Sequence, residues 1–363
     1  MTISEGVETI GDYAFSQMIE LTKLELPSTI KKIGEGVIEG DNELLAVVSH
    51  ISNPFDVSFN TFLNYTRNDI TDFWEYMPSP ATLYVPIGTK ASYEALPGWT
   101  WFANIEEGEV KEMMVDGLKY FFSTGGTTAT VVQDDSYQAK NGVEIPAAVD
   151  IDGKTYRVTA VGNRAFYFCR ELFSLTLPEG MESIGNYAFA YTSLQGVTLP
   201  STLKTIGERA FYANNIDALV IPEGVETIGQ YALANNFNLT KLELPSTLKK
   251  IGMLVINNDD LLENVYSHIT NPYALRDDTF VTWNEDMTPS PATLHVPVGT
   301  KAKYEALSGW TWFANIVEDL PNDVLSPIAP RSHSDAWYTL QGVKTEKPQK
   351  GVFIKNGRKV IMK

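Results

Sequence analysis

The chain has 363 residues, 44% hydrophobic and 20% charged, so it can bury a large core, and no run of about 18 apolar residues offers a membrane-spanning helix. A formal net charge of −17 repels phosphate backbones and sets nucleic acid aside as a partner. The one cysteine, Cys169, excludes an intrachain disulfide and reads as a small buried residue, and Met1-Thr2-Ile3-Ser4-Glu5 has neither the basic head nor the apolar run of a signal peptide.

In chain order, residues 1–52 read as the end of a repeat array, since Thr2-Ile3-Ser4-Glu5-Gly6 aligns with Val220-Ile221-Pro222-Glu223-Gly224 further on. Residues 53–107 are non-repetitive and aromatic, with an excursion bearing Phe55, Phe59, Phe62, Tyr65, Phe73, Trp74 and Tyr76 before the phrase Gly98-Trp99-Thr100-Trp101-Phe102-Ala103-Asn104-Ile105. An acidic connector, Glu106-Glu107-Gly108-Glu109, follows. Residues 113–157 predict a strand meander, with Gly125-Gly126 and Asp152-Gly153 supplying hairpin turns.

From 158 to 270 a short unit recurs. Leu177, Leu199, Ile221 and Leu244 each precede a proline at a nearly constant step, and Ile184-Gly185, Ile206-Gly207, Ile228-Gly229 and Ile251-Gly252 keep the same step. Alternation in Leu175-Thr176-Leu177 predicts a short strand that Pro178 ends, because proline cannot donate to a ladder. Asn186-Tyr187-Ala188-Phe189 predicts a brief helical turn after the Ile-Gly pair. No unit can bury its own Leu, Ile and Phe, so the units must stack.

Residues 271–318 close this array with Gly309-Trp310-Thr311-Trp312-Phe313-Ala314-Asn315-Ile316, so residues 3–105 are written again at 221–316. The second copy is shorter, the difference falling in the aromatic excursion, where it keeps Tyr273, Phe280 and Trp283. Residues 319–363 form a linker and a basic element. Within it, the stretch 331–363 carries eight lysines and arginines against Asp335 and Glu346, a net of +6.

The recurring L-x-L-P-x-x-hydrophobic-x-x-I-G-x-x-A-F phrase resembles the leucine-rich repeat of the BspA-like bacterial surface proteins, over residues 1–52 and 155–270. The segment from Tyr84 to Trp99 is similar to the module that closes such arrays in Bacteroidetes proteins, and the chain departs from the pattern at Ile38, Leu233 and Ile256, which lack the aromatic. The resemblance implies an α/β repeat protein. It would be a right-handed leucine-rich-repeat solenoid of two tandem arrays with short strands and helical turns. Residues 113–157 would be a β-rich amino-terminal cap, and 53–107 and 271–318 the closing modules. Residues 337–360 resemble a short carboxy-terminal element of exported proteins, either a sorting signal or a small basic hairpin. Because the chain opens inside a repeat, it is expected to be a fragment of a longer secreted precursor, or to have its first coil covered by a partner.

Chemistry is sparse. His50, His268, His295 and His333 are scattered, and no H-E-x-x-H, C-x-x-C, phosphate-binding glycine loop or G-x-S-x-G is present, so no catalytic residue, cofactor or metal is assigned. Ser49-His50-Ile51 and Ser267-His268-Ile269 read as structural, and Asp41-Asn42-Glu43 and Asn257-Asn258-Asp259-Asp260 read as solvated turns, their spacing fitting no calcium loop. Candidate ligand contacts are the outward strand row Thr176, Thr198, Val220 and Glu243 and the aromatic excursion Phe55 to Tyr76. Most of those aromatics, and Trp99, Trp101, Trp310 and Trp312, also have a packing reading. The expected function is non-enzymatic: a secreted or cell-surface, outer-membrane-associated protein that binds a protein partner, by resemblance a host extracellular-matrix protein or another cell-surface protein. The alternative is a structural spacer of a larger surface protein.

Overall fold

The computed structural model describes residues 1–18, 21–41, 43–67, 74–283, 287–321, 337–339, 344–345, 351–355 and 358–362, with side chains for those outside 64–78, 80, 103, 282–287 and 337–362. It is a β-solenoid of about 12 turns. Each coil has three sides; in the second array backbone hydrogen bonds join neighbouring coils throughout the second and third, and on the first only where its strands pair.

On the first side, the Leu-x-Leu segments pair in parallel. Lys23–Leu26 lies beside Ala46–Ser49 in the first copy, and Ala218–Val220, Lys241–Leu244 and Asn264–Ser267 follow one another in the second. The second side carries two-residue strands ending at the Ile-Gly pair: Ser183–Ile184, Thr205–Ile206, Thr227–Ile228 and Lys250–Ile251. Glycine follows because the coils touch there. A Cβ on Gly207 would stand 2.6 Å from the carbonyl carbon of Gly185 and 2.7 Å from the nitrogen of Asn186, well inside contact distance.

The third side corrects the expected helical turn. Tyr187 and Tyr191 are left-handed, with φ of 55° and 57°, and Arg209 and Ala213 repeat this at 50° and 56°. The alternation aims the N–H groups of Tyr187, Phe189 and Tyr191 at the carbonyls of Glu208, Ala210 and Tyr212 in the next coil, at 2.7, 2.8 and 2.9 Å. A helix would turn those donors inward along its own axis; here every coil satisfies them on its neighbour. The α/β expectation falls with it. Among the described residues α-helix is confined to Lys90–Glu94 and Lys301–Glu305, five residues each.

Inside, Tyr137, Phe166, Phe189 and Phe211 form a stacked column, with centroids 4.8, 5.3 and 5.5 Å apart. The column stops at Leu233, the position where the aromatic is missing. At each copy's end a buried quartet takes over. Phe62, Tyr93, Trp99 and Phe102 in the first copy match Phe280, Tyr304, Trp310 and Phe313 in the second, and the Tyr–Trp pairs stand edge-on at 4.9 Å in both. Their polar atoms are satisfied: the Trp99 and Trp310 Nε1–H groups donate to the carbonyls of Phe55 and Tyr273, and the Tyr93 and Tyr304 hydroxyls to those of Ile51 and Ile269.

Between the copies, the strands Val110–Val115, Leu118–Ser123, Thr128–Val131 and Lys154–Val161 run in one sheet that continues into the second array, where Val161 pairs with Ile184. The outer face of this region packs back on the first copy. Leu45, Ala46, Val48 and Tyr84 meet Val110, Phe121 and Val132, with Tyr84 edge-on to Phe121 at 5.6 Å. At the carboxy-terminal end, Trp337–Thr339, Lys344–Thr345, Gly351–Lys355 and Arg358–Met362 form a separate antiparallel sheet, the last two as a hairpin.

A candidate recognition face of arginine and tyrosine

The third side of the second array carries a row of side chains that the sequence reading missed. Arg164, Tyr187, Arg209 and Tyr231 occupy one position in four successive coils, each left-handed, with φ between 50° and 55°. That geometry turns their side chains to the outside, and the stacked coils bring them into register. The Arg164 guanidinium lies 5.5 Å from the Tyr187 ring centre, and Arg209 lies 5.4 Å from Tyr187 and 4.4 Å from Tyr231, so cation and ring alternate along the axis.

A second row lies beside it. Phe168 stacks on Tyr191 at 4.5 Å, Tyr191 meets Tyr212 edge-on at 5.3 Å, and Arg170 stands over Phe168 at 5.0 Å. Glu208 ties the first row down, pairing with Arg209 and accepting from the Gln230 amide at 2.7 Å, while Arg209 also donates to the Tyr187 hydroxyl. Burial, with help from Glu208, raises the Tyr187 pKa, and burial raises that of Tyr212, so both phenols stay protonated donors. The face can stack and hydrogen-bond; it presents no activated nucleophile.

The residues expected at a ligand contact are scattered. Phe62 is fully buried in the first quartet, Phe55 is half-buried against Trp99, and Phe59 is 59% exposed. The side chains of Tyr65, Phe73, Trp74 and Tyr76 lie outside the described residues. In the strand row, Val220 stands in register with Glu243, but Thr176 pairs instead with Glu144, and Thr198 lies in no strand. Glu243 corrects the reading of an outward row, because it is only 1% exposed. Burial works against its carboxylate, but hydrogen bonding from His268 at 3.1 Å and the Lys241 ammonium at 3.2 Å outweigh it and hold its pKa below the ordinary value.

The acidic clusters are a second correction. Asp41, Glu43 and Asp259 are buried rather than solvated. Asp259 extends an internal column that begins at Cys169 and Thr192 and continues with Asn214 and Asn236; the amides of the last two donate to the carbonyls of Phe189 and Phe211 at 2.8 and 3.0 Å. Cys169 is buried there and its thiol is pushed up to about 11 by burial, consistent with a packing role. Among the described residues no group of three or more His, Cys, Asp or Glu side chains is placed to hold a metal ion. No helix of the described residues is long and apolar enough to cross a membrane.

Stacked coils of one recurring length, each burying its leucines and isoleucines against the next, define a leucine-rich-repeat solenoid. The family model for the BspA type leucine rich repeat region matches in six copies over residues 1–75 and 155–280, and the chain belongs to that family. Solved structures are more distant. The pneumococcal vaccine antigen PcpA shares 18% identity, with 86% of this chain and 71% of that one covered at a TM-score of 0.42. The leucine rich repeat protein TpLRR of T. pallidum shares 21%, covering 59% and 85% at 0.38. A leucine-rich repeat protein from Bacteroides capillosus shares 28%, covering 43% and 97% at 0.32. No curated protein matches the chain.

Proposed function

We propose that the chain is a non-enzymatic recognition protein of a cell surface or secreted fraction, and that it holds a protein partner on the arginine and tyrosine face of its second array. The observation that carries this reading is the alternating Arg164, Tyr187, Arg209, Tyr231 row. Tyrosine and arginine are the residue types that dominate binding hot spots, because each joins a large flat surface to a polar tip. Their mutual stacking immobilises them before any partner arrives, so little side-chain entropy is left to lose on contact. A host extracellular-matrix protein is the partner class the family suggests.

Binding of the purified chain to a panel of immobilised extracellular-matrix proteins tests it. Tyr187→Ala and Arg209→Ala are each expected to weaken capture by about 30-fold, the hot-spot scale of about 2 kcal/mol. Thermal unfolding checks that the variants remain folded. An unchanged affinity in both variants would remove the face from the interaction. Absence of capture across the whole panel would favour the second reading, a structural spacer, which the apolar junction of Val48 and Tyr84 with Phe121 and Val132 supports by welding the two arrays into one unit.

A further inference from the structure

The row Arg164, Tyr187, Arg209, Tyr231 has a period that its partner must share. Backbone hydrogen bonds join successive coils on the second and third sides, so each step along the axis is about 4.8 Å. Cation and ring alternate at each step, and the same side-chain type returns after two coils, about 9.6 Å. The backbone beneath offers nothing to an added strand. The N–H groups of Tyr187, Phe189 and Tyr191 are spent on the next coil, and those of Arg209, Phe211 and Ala213 on the carbonyls of Gln230, Ala232 and Ala234. Side chains alone must make the contact, and their spacing selects its shape.

Regular peptide conformations differ in that spacing. Side chains on one face of a β-strand recur at about 6.7 Å, which matches neither one coil nor two. Two turns of α-helix span about 10.8 Å, about 1.2 Å too long. A polyproline II helix has three residues per turn and rises about 3.1 Å per residue, so every third residue returns to one face after about 9.3 Å. It keeps step with two coils to about 0.3 Å.

The chemistry of the row fits the same shape. An acidic residue once per turn would meet Arg164 and Arg209, and the two residues between would straddle Tyr187 or Tyr231, as prolines do on aromatic-lined sites. Both guanidiniums have donors to give. Arg209 spends Nη1 on Tyr187 and Glu208, which leaves Nε–H and the second Nη for a carboxylate. Arg164 stands 3.8 Å from Glu43, beyond hydrogen-bond distance. Phe168 and Tyr191, stacked at 4.5 Å in the second row, widen the shelf on one flank.

We propose that the arginine and tyrosine face holds a single protein segment in the polyproline II conformation, with an acidic residue at every third position and prolines between. This rests on that face being the contact surface and adds the shape and sequence of what it takes. A polyproline segment is stiff before it binds, and so is the stacked row, so neither loses much freedom on contact.

Fluorescence anisotropy of labelled peptides with the full chain tests this, at about 0.15 M salt, where repulsion from the rest of the −17 chain is screened beyond about 8 Å. A peptide repeating Glu-Pro-Pro is expected to bind. One of equal length repeating Glu-Pro-Pro-Pro, whose period of about 12.4 Å falls out of step, is expected to bind about 10-fold more weakly or worse. So is a peptide repeating Glu-Gly-Ser, which keeps the charge without the stiffness. Tyr187→Ala and Tyr231→Ala are each expected to weaken Glu-Pro-Pro binding by about 10-fold, while Tyr231→Phe, which keeps the ring, retains it. Thermal unfolding checks that the variants are folded. Equal binding of the three peptides, binding of none, or binding confined to a collagen-type triple helix overturns the proposal, as does indifference to both alanine substitutions. If matrix-protein capture falls with Tyr187→Ala while no peptide binds, the face remains the contact surface and only its polyproline partner is lost.

Discussion

Asp259 is 3% exposed, and its Oδ1 accepts from the backbone nitrogen of Asn236 at 2.6 Å while Oδ2 has no hydrogen-bond partner among the described residues. Burial raises its pKa well above the ordinary value, with Asp260 adding to the effect, so the folded state holds a proton that the unfolded chain releases near pH 4. The sign follows: stability falls as pH rises from that range toward the folded pKa, and above it the full penalty applies. Asn occupies the same column at 214 and 236, with its amide donating to a carbonyl. Asp259→Asn is therefore expected to stabilise the protein at neutral pH by about 1–3 kcal/mol, the cost of an unsatisfied buried polar group, and to lose that advantage in acid. Thermal unfolding at pH 4 and pH 8 measures it. The column was hidden in the sequence because it passes through Cys, Thr, Asn, Asn and Asp, unlike in chemistry but alike in place, each following the buried aromatic, or its Leu or Ile substitute, at one fixed offset.

Coils, rather than single residues, decide the backbone. The strand before each proline and the Ile-Gly step were legible because alternation, proline and glycine act locally. The turn was not: Asn186-Tyr187-Ala188-Phe189 has no residue that forbids a helix, yet the three bonds offered by the next coil outweigh local preference. For the same reason the recognition face was invisible. Its Arg, Tyr, Arg, Tyr order is plain only when left-handed positions in four coils are laid side by side. Close stacking has a cost that can be measured. Gly207→Ala would force Gly185 and Asn186 of the preceding coil aside and is expected to destabilise by about 1–3 kcal/mol, the range for overpacking, visible as a lower denaturation midpoint.

Across the whole molecule, the duplication and its unequal loop were readable from sequence alone, whereas the meeting of the two copies was not. Nothing in Ala46, Val48 or Tyr84 names Phe121 and Val132 as partners, since the contact depends on how the intervening sheet folds back. Glu43 makes this junction sensitive to pH. Burial pushes its carboxyl up to about 7, against the pull of Arg164 and with help from Glu208. It releases its proton later in the folded state than in the unfolded one, so the junction is firmest in acid and loosens as pH rises through 7. Asp41, raised by burial to about 6, acts in the same sense. Glu43→Gln is expected to flatten the loss of stability between pH 5 and pH 8, measured by unfolding at both; an unchanged slope would show that Glu43 does not govern it.

The coil-to-coil bonds lie along the solenoid axis, so a pull between its ends loads them one coil after another instead of all together. Such a chain yields as a spring does, by peeling coils in sequence, and the quartets around Trp99 and Trp310 are the knots at which peeling would pause. A protein tethered under flow could lengthen by whole coils and rewind when the tension drops, and the repeat that builds the fold would then also set its step of extension.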